Sequence, residues 1–112
     1  MTSYRPGDLI KVPFPYTDRS ARQRRPAFVA AAGDLLSRHG LLWVIMVTSA
    51  ENRGWPGDVG ISDYAAAGLP APSLIRCAKI ATIEARDAEP LGRAAEDDIR
   101  VVLDRLRARL AG

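Results

Sequence analysis

The sequence is poor in the residues that build metal and disulfide sites. Its 112 residues include one cysteine, Cys77, and one histidine, His39. A single cysteine excludes a disulfide within these residues and is typical of a reducing compartment. Structural zinc sites need several cysteine or histidine ligands at short spacing, so we expect no metal and no cofactor. Cys77 lies in an apolar run and is predicted to be a core residue, whereas His39 is predicted to lie in a surface turn.

Long apolar runs and a phosphate-binding glycine loop are also missing. The longest apolar runs, 27–32 and 41–47, are far shorter than the roughly 20 residues that span a membrane. The N-terminus has no apolar stretch of the signal-peptide type. Gly54, Gly57 and Gly60 do not precede a predicted helix, which disfavours a nucleotide-binding fold. We therefore expect a cytoplasmic protein that is not inserted in a membrane.

The remaining composition is that of an ordinary globular protein. Hydrophobic residues make up 47% of the chain and charged residues 26%, which suits one modest core. The length predicts a single domain over residues 1–112. Short strand-like stretches, separated by proline and glycine, fill most of the chain before its last segment. These strands are residues 7–12, 26–32, 41–47, 57–62, 74–79 and 80–84, with one bent strand as the alternative for the last two. Single helical turns are predicted within 33–40 and at 63–67.

Two segments carry the clearest structural signals. Residues 41–47 are apolar throughout and rich in β-branched and aromatic side chains, which predicts a central strand buried on both faces, with Trp43 in the core. Residues 93–110 place apolar side chains at helical spacing, with acids near the start and arginines near the end, as the helix dipole favours. Together the segments predict an α+β, mostly β protein: a small, partly closed barrel with a C-terminal amphipathic helix.

Positive charge is concentrated near the N-terminus. Residues 1–40 carry seven Lys and Arg against three acids, and residues 41–112 carry nine against ten. The densest stretch, 17–25, holds four arginines in nine residues. The planar guanidinium group suits phosphate oxygens, so this stretch is a candidate for following a nucleic-acid backbone. A solvated loop kept soluble by its charge is the alternative.

Arginine and hydroxyl side chains stand at the predicted ends of strands. Arg25 directly precedes the proline that opens a strand, and Thr48 and Ser49 follow the buried strand 41–47. A residue at the end of a strand is held by the core yet faces solvent, which is a good position for a catalytic group. For Thr48, the alternative is a turn hydroxyl that bonds to the backbone.

Four stretches carry a recognisable pattern: 7–18 (GDLIKVPFPYTD), 24–29 (RRPAFV), 47–49 (VTS) and 68–83 (GLPAPSLIRCAKIATI). In this order and spacing they resemble the MazF/PemK (Kid-like) family of type II toxin–antitoxin endoribonuclease toxins. The resemblance implies a small SH3-like barrel of the MazF/CcdB type with a C-terminal helix, usually as a homodimer. It also implies metal-independent, sequence-specific cleavage of single-stranded mRNA by its own 2′-OH, growth arrest, and a cognate antitoxin protein that blocks the RNA groove.

The resemblance also assigns roles to residues. Arg25 matches the arginine of the family's Arg-Pro motif and would stabilise charge on the phosphorane. Thr48 matches the catalytic threonine, and its hydroxyl would donate to a phosphate oxygen. Arg76 matches the arginine of the Arg-Cys-Asp motif of the Kid/PemK branch, as a second candidate for phosphate stabilisation or for protonation of the leaving group. Predicted RNA-binding residues are Arg19, Arg22, Arg24, Ser49, Asn52, Arg53 and Lys79, with Trp55 or Tyr16 as a stacking face.

One position departs from the family pattern. Ala78 stands where the Kid/PemK branch has an aspartate thought to act as general base. Asp18, Glu51 and His39 are candidates for the base by their chemistry, as are the substrate itself and a group from a partner subunit. Two other functions therefore stay open: an RNA-binding relative with weakened catalysis, and a CcdB-like gyrase poison on the same fold.

Overall fold

The computed structural model describes residues 3–13 and 24–112. Over these residues the chain forms six strands, two α-helices and two short 3-10 turns, Ala50–Asn52 and Ala85–Asp87. In chain order the elements are β1 (Asp8–Pro13), β2 (Arg24–Ala31), α1 (Gly33–His39), β3 (Leu41–Ser49), β4 (Asp58–Gly60), β5 (Ser73–Glu84), β6 (Glu89–Arg93) and α2 (Glu96–Leu110).

All six strands belong to one sheet in the order β4-β5-β3-β2-β1-β6, and each pair of neighbours is antiparallel. Within the described residues β4 and β6 remain the two edges, so the sheet does not close into a complete barrel. The predicted α+β, mostly β class with a C-terminal helix is confirmed. Neither α1 nor α2 is long and apolar enough to cross a membrane.

The sheet carries a hydrophobic cluster on each face. One cluster includes Phe28 and Ile45 and is covered by Ile99 and Val102 of α2. The other includes Val29, Val44 and Leu42 and is covered by Tyr4 and Leu36. Because successive side chains of a strand point to opposite faces, β3 contributes to both clusters, as predicted for a central strand.

Trp43 is an exception to the predicted burial of β3, because its side chain is 40% exposed. It lies opposite Thr82 on β5 and shares the face of Ile45. Helix α2 covers that face with Ile99 and Val102, but its last apolar residue, Leu110, is 71% exposed. The prediction that Trp43 is a core residue is therefore wrong.

The structure differs from the sequence-based boundaries of the elements most clearly before α2. Residues 89–93 form the edge strand β6 against β1, so α2 begins at Glu96. Residues 63–67 form the predicted single helical turn, in which the Ala67 N–H donates to the Asp63 carbonyl oxygen at 3.1 Å, the hydrogen-bond spacing of an α-helix. Over 74–84 the chain forms the single strand β5, which is one of the two alternatives that the sequence left open.

Candidate active site

Three strands bring the predicted catalytic residues to one end of the sheet. β2 starts there, β3 ends there, and β5 starts there with Leu74 opposite Thr48. Ala27 of β2 lies opposite Met46 of β3. Arg25 precedes Ala27 by two residues on β2, and Thr48 follows Met46 by two residues on β3, so both lie beyond this pair at the same end of the two neighbouring strands.

The same three side chains share one face of the sheet. Strand alternation puts Arg25 on the face of Ala27, and Thr48 on the face of Met46, which packs with the cluster opposite α2. Arg76 follows Leu74 by two residues on β5, so it too lies on the face of Thr48. The fold therefore brings two guanidinium groups and one hydroxyl to the same end and side of the sheet.

Arg25 has unused capacity to bind an anion. Its side chain is partly buried, and its Nε atom is buried without a hydrogen-bond partner in the described part of the chain. A buried donor left unsatisfied costs about 1–3 kcal/mol, and charge-assisted bonds to phosphate are among the strongest that a guanidinium forms. None of the ion pairs within residues 3–13 and 24–112 neutralises Arg25.

Thr48 is held by a side chain rather than by the backbone. Its Oγ1 atom accepts a hydrogen bond from Asn52 Nδ2 at 2.9 Å. Asn52 ends the 3-10 turn that follows β3, and Ser49 caps this turn because its Oγ accepts a hydrogen bond from the Glu51 N–H at 3.3 Å. The hydroxyl proton of Thr48 is therefore directed away from Asn52.

Arg76 is bound on several sides by the protein. It is 7% exposed, and its Nε and Nη2 atoms donate to the two carboxylate oxygens of Asp58 at 3.2 and 2.9 Å. Nη2 also donates to the backbone carbonyl oxygen of Asn52. The guanidinium carbon lies 4.4 Å from the centroid of the Trp55 ring, which is cation–π distance. Sequence reasoning missed Asp58, which lies directly opposite Arg76 in the pairing of β4 with β5.

The remaining basic candidates for RNA binding differ in how many of their donor atoms the protein already uses. Arg24 is paired with Glu89 at 3.1 Å and also donates to the carbonyl oxygen of Asp87. Arg53 is exposed and uses its Nε on the carbonyl oxygen of Ala50. Arg24 therefore has less capacity for RNA than Arg53.

Lys79 lies on β5 with its ammonium group 5.3 Å from the centroid of the Trp55 ring, and Trp55 is 44% exposed. Arg19 and Arg22 lie outside the described residues. The flanking residues of their segment, Pro13 and Arg24, are paired with each other at the active-site end of β1 and β2.

The candidates for the general base fall in different parts of the molecule. His39 ends α1 and precedes β3, whose seven steps from Leu41 to Thr48 span about 23 Å at roughly 3.3 Å per residue. This distance excludes His39 as a base for its own chain's site. Glu51 is exposed in the turn after Thr48, whereas Asp18 lies outside the described residues.

The two residues after Arg76 supply no base. Ala78 is exposed on β5 and carries no titratable group. Cys77 is buried, as predicted, and desolvation raises the pKa of its thiol, so the thiol stays protonated near neutral pH.

Comparisons with known proteins agree with this fold. The sequence profile of the family described as "PemK-like, MazF-like toxin of type II toxin-antitoxin system" matches residues 5–110. No curated protein sequence matches.

Solved structures similar to the chain have the same fold at low sequence identity. MazF (Form-I) from Deinococcus radiodurans is 23% identical over 100% of both chains, with a TM-score of 0.78. The MazE-MazF structure (Form-II) from the same organism is 22% identical over 98% of this chain and 97% of that one, with a TM-score of 0.77. An endoribonuclease in complex with its cognate antitoxin from Mycobacterial species is 14% identical over 99% and 96%, with a TM-score of 0.73.

Proposed function

This protein belongs to the PemK-like, MazF-like family of toxins of type II toxin–antitoxin systems, because the profile of that family matches nearly the whole chain. We propose that it is a sequence-specific, metal-independent endoribonuclease. Its substrate is single-stranded mRNA, and cleavage arrests growth. The observation that supports this proposal is that Arg25, whose Nε atom is buried without a partner in the described part of the chain, and Thr48, whose hydroxyl oxygen accepts a hydrogen bond from Asn52, stand at the same end and on the same face of the sheet.

The proposed reaction uses the 2′-OH of the substrate as nucleophile. The 2′-oxygen loses its proton and forms a bond to phosphorus, the bond from phosphorus to the 5′-oxygen breaks, and that oxygen takes up a proton. The products are a 2′,3′-cyclic phosphate and a 5′-OH end. The protein therefore needs no nucleophile of its own, but it must stabilise the extra negative charge on the phosphorane.

Arg25 is the group that we assign to this charge. An arginine guanidinium is a permanent cation in proteins, so Arg25 acts by charge and orientation rather than as an acid. The Thr48 hydroxyl donates to a non-bridging phosphate oxygen. Arg76 is the second cation, but Asp58 balances its charge, so its effect on the phosphate is weaker than that of Arg25.

RNA binding is assigned to the surface around this site. We assign Arg53, Lys79 and Ser49 to contacts with the phosphates and base edges, and the partly exposed ring of Trp55 to stacking on a base. The proposed RNA-binding set is completed by Arg24, Asn52, Arg19 and Arg22.

The proton acceptor is the open part of the mechanism. Glu51 is the described carboxylate closest in sequence to Thr48, and deprotonation by the substrate or by a partner subunit stays an alternative. Ala78, in place of a carboxylate, favours a second candidate function, an RNA-binding relative that cleaves weakly.

The proposed partners follow from family membership. The MazE-MazF neighbours support a cognate antitoxin as protein partner, and the expected location is the cytoplasm. A homodimer is proposed too. It is supported by a cleft of about 320 Å³ lined by three exposed apolar residues, Trp43, Ile80 and Leu110, since contiguous exposed apolar surface marks interfaces.

The test is digestion of a diverse RNA pool in the presence of EDTA, with mapping of the new ends. We expect cleavage at a short recurring sequence with 5′-OH ends, lost in Arg25→Ala and Thr48→Val. Matched controls are Arg38→Ala and Ser37→Ala, which remove an exposed arginine and an exposed hydroxyl from α1 at the opposite end of the sheet. RNA binding without cleavage by the native chain would favour the weakened relative, and equal losses in the controls would refute the assignment of the site.

A further inference from the structure

The hydrogen bond between Asn52 and Thr48 determines what the Thr48 hydroxyl can do. A threonine hydroxyl has one donor and two acceptor positions. Asn52 Nδ2 donates to Oγ1 at 2.9 Å and so occupies one acceptor position, which leaves the O–H proton for another partner. The reverse arrangement, with Thr48 donating to an amide oxygen, would consume the proton that the phosphate needs.

A second set of contacts holds the backbone of Asn52. Its carbonyl oxygen accepts a hydrogen bond from Arg76 Nη2, and Arg76 is clamped by both carboxylate oxygens of Asp58. The Arg76 and Asp58 side chains are only 9% and 11% exposed, and the Trp55 ring lies over the guanidinium. Contacts thus run without a break from Asp58 through Arg76 and Asn52 to Thr48.

We propose that Asn52 is a positioning residue for the Thr48 hydroxyl, and that the Arg76–Asp58 pair holds Asn52 in place. This inference rests on the proposed ribonuclease function. It gives Asn52 a role beyond contact with RNA: its amide donates to Thr48 and sets the direction of the catalytic proton. It also gives Asp58 a place in the site that the spacing of the sequence motifs does not indicate.

Two substitutions of Asn52 separate these roles. Asn52→Leu keeps the approximate shape but neither donates nor accepts a hydrogen bond. Asn52→Asp keeps the shape, but its carboxylate only accepts, so it draws the Thr48 proton toward itself. We expect both to lower the single-turnover cleavage rate about tenfold or more, the effect of losing one oriented hydrogen bond in the transition state, with Asn52→Asp at least as impaired as Asn52→Leu.

Binding and coupling measurements complete the test. Asn52→Leu should lower the single-turnover cleavage rate by a larger factor than it weakens affinity for an RNA with 2′-O-methyl groups, which cannot be cleaved, because contact with RNA accounts for the loss of affinity and the positioning role adds a loss in the chemical step. In a Thr48→Val background, Asn52→Leu should have little further effect on the rate, because the group through which it acts is gone. If Thr48→Val leaves no measurable cleavage rate, the relative rates of Asn52→Asp and Asn52→Leu test the inference instead. Ser37→Leu, on exposed α1, controls for an added surface leucine.

Several results would overturn the inference. Weakened RNA affinity with an unchanged cleavage rate would make Asn52 an RNA contact only. A native rate in Asn52→Asp would mean that Thr48 donates to residue 52. Multiplying effects of Asn52→Leu and Thr48→Val would make the two residues independent. Failure of the native chain to cleave any RNA would instead remove the proposed function, and the positioning role with it.

Discussion

Replacing Asp58 with alanine removes the carboxylate from the least exposed ion pair of the described chain. Arg76 would keep its contact with the Asn52 carbonyl oxygen and with Trp55, but would lose two charge-assisted hydrogen bonds of 3.2 and 2.9 Å. Removing one partner of a buried pair costs about 3–5 kcal/mol, because the remaining charge is left uncompensated. Because Arg76 keeps two contacts, we expect the loss in the free energy of unfolding to be at the lower end of this range, about 3 kcal/mol. At about 4 °C per kcal/mol for a domain of this size, Tm should fall by about 12 °C.

Thermal unfolding followed by circular dichroism measures this loss. Asp104→Ala is the matched control, since it removes an acid from a 3.1 Å pair with Arg107 whose side chains are 65% and 72% exposed. Such surface pairs contribute about 0–1 kcal/mol. The double variant Asp58→Ala/Arg76→Met should regain most of the lost stability, because no charge is left buried. The reasoning is refuted if Asp58→Ala lowers Tm no more than Asp104→Ala, or if the double variant is no more stable than Asp58→Ala.

The other predictions concern catalysis, a buried thiol and a close backbone contact. Arg25→Ala should lower the single-turnover cleavage rate by about 10²-fold or more, by analogy with loss of one transition-state donor, whereas Arg38→Ala should leave it unchanged; similar rates in both would contradict the assignment. Burial raises the pKa of the Cys77 thiol, so the folded protein should react with iodoacetamide far more slowly than the urea-unfolded chain. The contribution of Cys77 to stability is complete below the thiol pKa of the unfolded chain, about 8.5, and is lost as pH rises through the higher pKa of the folded state. Urea unfolding measured at a series of pH values from neutral upward should show this loss in the native chain and not in Cys77→Ala. Gly68→Ala should cost about 1–3 kcal/mol in urea unfolding, because φ is +90° and a Cβ would lie 2.3 Å from a carbonyl oxygen of β6. Gly60→Ala, where a Cβ meets nothing within 4 Å, should cost clearly less.

Local sequence pattern was enough to locate the long elements. β3 follows from an apolar, β-branched run, and α2 follows from a helical apolar stripe with charges that suit the helix dipole. β6 was missed because the segment Glu-Pro-Leu-Gly-Arg has low strand propensity and is a strand only through its pairing with β1. The sequence pattern does not predict the exposure of Trp43, because how much of the sheet α2 covers depends on tertiary packing.

For the site, the sequence by itself determined which side chains stand at strand ends: Arg25 before a strand-opening proline, and Thr48 after a buried strand. Their chemistry, and the family pattern around them, were enough to nominate them. Only the tertiary structure decided that Arg25 and Thr48 lie on neighbouring strands and share a face with Arg76. It also decided that Asp58 neutralises Arg76 and that Asn52 holds the Thr48 hydroxyl.

The physical reason is the range over which each effect acts. Strand and helix signals depend on neighbours within a few residues, so they can be read along the chain. The partner of a buried charge is set by strand register, which brings together residues such as Asp58 and Arg76 that are 18 positions apart. Register in turn depends on how all the strands bury their apolar faces together, and that is a property of the folded molecule.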